Sequence, residues 1–221
     1  MKAMILSAGR GERMRPLTDT LPKALIPVNG KPLIEYHLAA LAQVGVTEVV
    51  INLAWLGQQL RDVLADGSRF GLKVLYSDEG DTALETGGGI VQALPMLGSE
   101  PFWVLNGDVL TDYPFTDSAL AETDLGRLVL LANPPHNPEG DFGESAGRAL
   151  NNAAELFTYS GIGLFRPELF DSSKRGVYPL APILRSAADQ NQLAAEIHEG
   201  RWLDVGTPQR LQQAEKVLAE S

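Results

Sequence analysis

The chain has 221 residues, 44% hydrophobic and 21% charged, which is ordinary globular composition and enough for one α/β domain with a substantial core. It contains no cysteine, which excludes a disulfide framework, a thiolate nucleophile and a Cys-type zinc site. A net charge of −10 argues against a general nucleic-acid partner, and no apolar stretch approaches the ~20 residues of a membrane span.

In chain order, Lys2–Ser7 reads as a first strand. Only Ala3-Met4-Ile5-Leu6 is apolar there, too short for a signal peptide, so a cytoplasmic protein is expected. Leu33–Val44 reads as a helix, with Pro32 suited to its first turn. Val46–Leu53 is a β-branched strand, and Leu56–Ala65 an amphipathic helix. Leu72–Ser77, Phe102–Leu105 and Leu128–Ala132 read as buried strands. Pro134–Ala154 is rich in Pro, Gly, Asn and acids, and reads as an irregular loop or a mobile wall of a site. Thr207-Pro208 form an N-cap and N1 pair for a helix that runs to about Leu218. This alternation predicts a single α/β domain over 1–221, with a parallel or mixed sheet covered by helices. There is no linker, internal repeat or hexapeptide β-helix signature.

The charge is unevenly placed. Residues 1–31 hold Lys2, Arg10, Arg13, Arg15, Lys23 and Lys31 against Glu12 and Asp19, so this segment is +4 and the remainder −14. A local basic patch on an acidic protein fits a small polyanion. The first strand runs into Gly9-Arg10-Gly11, where glycines let backbone N–H groups approach a phosphate closely. Two nucleotide motifs fail: the third glycine of G-x-G-x-x-G is Met14, and the Walker A pattern is absent. Gly-x-Gly alone would equally fit a tight structural turn. Arg13 within the loop and Lys23 just after it favour an anion.

The segments Leu6-Ser7-Ala8-Gly9-Arg10-Gly11-Glu12-Arg13-Met14-Arg15-Pro16-Leu17-Thr18, Pro22-Lys23-Ala24-Leu25-Ile26-Pro27-Val28 and Gly30-Lys31-Pro32 resemble the signature of the sugar-1-phosphate nucleotidylyltransferase family. The resemblance implies a Rossmann-like, glycosyltransferase-A-like three-layer α/β/α fold with a mixed, mostly parallel sheet. Roughly residues 1–110 would bind nucleotide and 111–221 sugar. The implied substrates are a nucleoside triphosphate and a sugar 1-phosphate, joined with release of pyrophosphate. Ala8, Gly9, Gly11 and Glu12 would hold the nucleotide, and Arg13 the leaving β,γ-phosphates. Lys23 would sit between the α-phosphate and the sugar phosphate.

Mutually repelling phosphates call for a divalent cation, and Mg²⁺ takes one or two carboxylates with phosphates and water. Asp108 follows an apolar strand, although Asn106-Gly107 before it is also a hairpin signal. Asp204 precedes the terminal helix, where a turn before a cap would explain it equally. The resemblance makes them the two Mg²⁺ ligands. It also aligns Leu84–Ile90 with the base-reading segment, with Thr86 and Gly88 as base contacts. The glycines there would equally relax a helix start. For the sugar, Asn106, the Asp141-Phe142-Gly143 turn and Tyr159-Ser160-Gly161 are implied, with Glu144 and Glu155 as the nearby acids. The Glu-Glu-Lys-Pro segment of many relatives is missing.

A phosphate monoester is already anionic at neutral pH, its second pKa being ~6, so no general base is needed. His37 in a helix and His198 in a late strand read as structural, and His136 is unassigned. Among family branches, Gly-Asp-Phe-Gly, Tyr-Ser-Gly-Ile-Gly and Asp-Val-Gly-Thr-Pro most resemble the N-acetylmuramate 1-phosphate uridylyltransferases of peptidoglycan recycling. Mannose-1-phosphate guanylyltransferases are the second reading, and an inactive nucleotide-sugar-binding regulator the third. Arg148 or Arg166 could meet a lactyl carboxylate. The sequence leaves the oligomeric state open and is compatible with a monomer.

Overall fold

The structure is a computed structural model that describes residues 1–116 and 119–219. Strand β1 (Lys2–Leu6) turns Ala3 and Ile5 to one face and Met4 to the other, and all three are fully buried. Period-two alternation with both faces covered requires such an all-apolar centre. A small hairpin, β2 (Pro27–Val28) and β3 (Lys31–Pro32), closes over Asn29-Gly30, both at positive φ as a type I′ turn needs. It feeds helix α1 (Leu33–Gln43), which buries Ile34, Leu38 and Leu41 as one stripe. Strand β4 (Glu48–Leu53), helix α2 (Gly57–Leu64), strand β5 (Lys73–Asp78) and helix α3 (Glu85–Leu97) follow. Strands β6 (Phe102–Asn106), β7 (Val109–Thr111) and β8 (Gly126–Leu131) precede a second hairpin, β9 (Gly143–Ser145) and β10 (Arg148–Leu150). The chain ends through β11 (Thr158–Phe165), α4 (Ala181–Asp189), β12 (Leu193–Ile197), β13 (Trp202–Asp204) and α5 (Pro208–Ala219).

Nine strands form one sheet in the order β5-β4-β1-β6-β11-β8-β12-β10-β9. Seven run in one direction, and only β11 and β10 oppose them, so the sheet is mixed and mostly parallel. Helices α1 and α2 cover one face, and α3 and α4 the other. Each fully buried Leu or Ile of these two clusters contributes about 1.5–3 kcal/mol. A third cluster, Val28, Leu33, Leu110, Val205 and Ala214, fastens α5 beside the first hairpin.

The expected strands and helices are present with ends shifted by one or two residues. Two local expectations need correction. The irregular stretch 134–154 contains the β9–β10 hairpin, turned by Ala146 and Gly147 at φ 51 and 77. Asn106-Gly107 makes no hairpin, because β7 leaves the large sheet and pairs with β13 instead. Among the described residues no helix is long and apolar enough to cross a membrane.

Candidate active site

The chain runs from β1 to β4 and β5 on one side, then returns as β6 on the other. Open α/β sheets bind ligands at such a reversal, outside the strands' carboxyl ends. The cavity here, about 560 Å³, lies in that place. Its floor is the loop after β1. Gly11 sits at φ 68, and its carbonyl accepts from Met14 N–H at 2.9 Å and Thr18 Oγ1 at 2.8 Å. A Cβ on Gly11 would stand 3.0 Å from Thr18 Cγ2 and 3.3 Å from Lys23 Cβ, so glycine serves both the backbone conformation and the close approach.

Most of the basic excess is engaged elsewhere. Lys2 pairs with Glu48, Arg10 stacks on Trp55, Arg15 pairs with Asp19, and Lys31 lies over Tyr36. Arg13 and Lys23 are the two that line the cavity, with Ala8, Gly9, Gly11 and Glu12. Lys23 opens a short helical turn, Lys23–Leu25, from which its Nζ donates to Asp108 Oδ2 in the turn after β6.

Asp204 is not itself a lining residue, but strand pairing brings it beside the cavity, two residues before the lining Gly206. It stands opposite Val109 in the β13–β7 ribbon, and Val205 N–H donates to the Asp108 carbonyl at 2.8 Å. Its Oδ2 accepts from Arg210 Nη1 at 2.7 Å, whereas Oδ1 is buried without a donor. A buried carboxylate oxygen without a partner is costly, and a hard cation would satisfy it. Among the described residues no three His, Cys, Asp or Glu gather as a cage. Two carboxylates suit Mg²⁺, which completes its shell with phosphate and water.

Thr86 lines the cavity, and its Oγ1 accepts from Leu180 N–H at 2.9 Å. Gly88 lies outside the cavity wall: its N–H bonds the Tyr178 carbonyl at 3.1 Å, and a Cβ would collide with the Gly176 carbonyl. Asn106 lines the cavity, and Gly161, at φ 77, lies against its amide with no room for a Cβ. Gly143 and Glu155 are not among the lining residues. Gly143 packs inside its hairpin on Ala153, and Glu155 is exposed. Glu144 accepts from Gly147 N–H across that hairpin turn, and Asp141 from Tyr159 N–H. Arg148 is bound to Asp124, and Arg166 to carbonyls of 120–124, also outside the cavity.

His37 is buried, and its pKa is lowered to about 4 by that burial. His136 Nε2 lies 3.7 Å from Asp204 Oδ2, with its ring stacked on Trp202. His198 pairs with Asp112.

One network was not anticipated. Ser7 N–H donates to Asn52 Oδ1 at 2.6 Å, and Asn52 Nδ2 to Glu79 Oε1 at 2.7 Å. Glu79 Oε2 accepts from Leu84 N–H at 2.6 Å. Burial raises the Glu79 carboxyl above its ordinary range. The available signal was Asn52 itself, a polar residue inside the apolar run Val49-Val50-Ile51-Asn52-Leu53.

A nucleotidyl transferase family model matches residues 2–146. The chain is 54% identical to the N-acetylmuramate alpha-1-phosphate uridylyltransferase of Neisseria meningitidis serogroup B, over 97% of both chains. It is 34% identical to the enzyme of that name from Caulobacter vibrioides, over 99% of this chain and 97% of that one. It also matches the mannose-1-phosphate guanylyltransferase catalytic subunit beta of Danio rerio at 32%, over 94% of this chain and 62% of that protein. A solved structure from Bacillus anthracis, assigned as a glucose-1-phosphate thymidylyltransferase, shares the fold at a TM-score of 0.85 and 22% identity, over 100% and 96% of the two chains. On this sequence match, and with one cavity that gathers Arg13, Lys23 and Asp108 beside Asp204, the chain belongs to the nucleotidyl transferase family.

Proposed function

We propose that the protein joins UTP and N-acetylmuramate 1-phosphate to give UDP-N-acetylmuramate and pyrophosphate, in peptidoglycan recycling in the cytoplasm. The observation that carries the chemistry is the Lys23–Asp108 pair facing the glycine loop, with Asp204 bonded beside it through Val205. The choice of substrates rests on the 54% identity across nearly the whole chain.

The reaction is in-line attack of a sugar-phosphate oxygen on the α-phosphorus, with pyrophosphate leaving on the opposite side. The nucleophile is anionic above a pH of ~6, so the protein need not remove a proton. Its residues hold like charges together instead. In this reading Ala8, Gly9 and Gly11 seat the nucleotide, and Glu12 borders the same loop. Arg13 meets the leaving phosphates, and Lys23 the α-phosphate and the incoming phosphate. Asp108 and Asp204 would hold Mg²⁺, which supplies charge neutralisation when bound. Residues 1–110 then form the nucleotide half. The sugar half, 111–221, meets it where Gly161 abuts Asn106.

Thr86 is the proposed base contact from the start of α3. Gly88 would act one step removed, by letting the 176–179 segment close on that helix. Gly143 and Glu155 would serve the sugar only through the shape of their hairpin.

The test is a matrix of four nucleoside triphosphates against several sugar 1-phosphates with Mg²⁺, scored by pyrophosphate release. Turnover with UTP and N-acetylmuramate 1-phosphate is expected. Turnover confined to GTP and mannose 1-phosphate would replace both substrates. No pyrophosphate from any pair would leave a binding protein without chemistry.

A further inference from the structure

Asp204 is held by more than its strand. Thr207 caps α5 by accepting from Arg210 N–H at 3.3 Å, which fixes Arg210 in the helix's first turn. From there Arg210 Nη1 reaches Asp204 Oδ2 at 2.7 Å, and both side chains are about four-fifths covered. The second oxygen, Oδ1, has no donor. Gly206 lies between these groups: a Cβ there would stand 2.6 Å from Asp204 Oδ1, 3.1 Å from Arg210 Nη1 and 3.2 Å from Arg13 Nη2. His136 Nε2, at 3.7 Å from Oδ2, is beyond hydrogen-bond reach, so Arg210 is what orients the carboxylate.

We propose that Arg210 is a positioning residue for the cation site: it engages Oδ2 of Asp204 and thereby holds Oδ1 beside the cavity-lining Gly206, free for the cation. The inference rests on reading Asp108 and Asp204 as the cation ligands. Two effects oppose each other at this site. A guanidinium near a bound cation repels it, which would make Arg210 unfavourable for metal binding. Against that, loss of a partner that orients a ligand weakens metal affinity by roughly 10–100-fold. Without Arg210 both Asp204 oxygens would be partly buried and unpaired, and the side chain would be free to rotate. Orientation is therefore the larger effect here.

The experiment is Mn²⁺ binding to the substrate-free full chain, followed by water-proton relaxation, for wild type, D204N, R210M and R210K. Circular dichroism and the thermal midpoint report folding of each variant. We expect D204N to lose most of the binding, R210M to weaken it about tenfold or more, and R210K to recover part of the loss. Unchanged or tighter Mn²⁺ binding in R210M, with D204N still defective, overturns the positioning role alone. Binding that D204N leaves intact overturns the metal-site reading and the proposal with it. If R210M does not fold, R210K decides: its single, shorter donor should bind Mn²⁺ less tightly than wild type, and equal or tighter binding overturns the proposal.

Discussion

Lys23 and Asp108 are each other's counter-ion in the substrate-free protein, with 14% and 27% of their side chains exposed. In the proposed mechanism substrate binding would reassign both, the amine to phosphate and the carboxylate to the cation. Removing either charge therefore acts on the transition state more than on the fold. K23A and D108N should each lower turnover by roughly 10²–10³-fold. Their circular dichroism should stay unchanged, and near-normal pyrophosphate release in either would contradict the assignment. His37 governs a different property. Its folded pKa of about 4 lies below the ordinary 6.5, so between these values the unfolded chain takes up a proton that the folded chain refuses. Stability contributed by neutral His37 is thus complete above about pH 7 and is lost as pH falls toward 4. Between pH 7 and pH 5 wild type should lose roughly 2 kcal/mol more than H37L, as read by urea unfolding. Arg13 and Lys23 stood out in the sequence by their place in and just after the glycine loop, and their expected roles came from the family resemblance. Arg210 was not, because the neighbour that gives it meaning, Asp204, is separated from it by a turn and a helix cap.

At the scale of elements, the start of α3 is built for contact. Gly87 lies against the Tyr178 ring, Gly88 against the Gly176 carbonyl, and Gly89 against Glu79 and Asn52. Any side chain at Gly88 must push the 176–179 segment away, and that segment bonds Leu84, Gly87 and Gly88. G88A should lower stability by about 1–3 kcal/mol in urea unfolding. It should also raise the KM for UTP, because Thr86 shares the displaced turn. A G88A protein as stable as wild type would show that the segment yields freely. The sequence displayed three glycines but not the surfaces they meet, which for Gly87 and Gly88 come from a segment about ninety residues later. Strands with a near-continuous apolar run, such as β1 and β4, were readable because two helical layers cover both faces of the sheet. The β9–β10 hairpin escaped notice because three-residue strands carry too little pattern.

For the molecule as a whole, the cavity joins the loop after β1, the start of α3, the turn after β6 and the turn before α5. A ligand that touches all four should stabilise the folded state by linkage, about 2.7 kcal/mol at a concentration 100 times its Kd. UTP with Mg²⁺ at that concentration should therefore raise the thermal midpoint by about 5–11 °C, at roughly 2–4 °C per kcal/mol for a chain of this size. EDTA should remove most of that gain, and D108N should show little of it. A nucleotide-induced shift indifferent to EDTA would separate nucleotide binding from the cation. The overall class was legible because α/β alternation and the opening glycine loop agree with each other. The sugar half was less so: of its expected contacts, Asn106 lines the cavity, and Gly161 is placed by packing against it.

Asp204 comes beside the cavity through the pairing of β13 with β7, almost a hundred residues after Asp108 in the chain. All nine strands of the large sheet and the glycine loop precede β13 in the chain, so the acid on that ribbon is the last of these parts to be made. If Asp108 and Asp204 are the proposed cation pair, a chain stopped before this closing ribbon would hold only half of it.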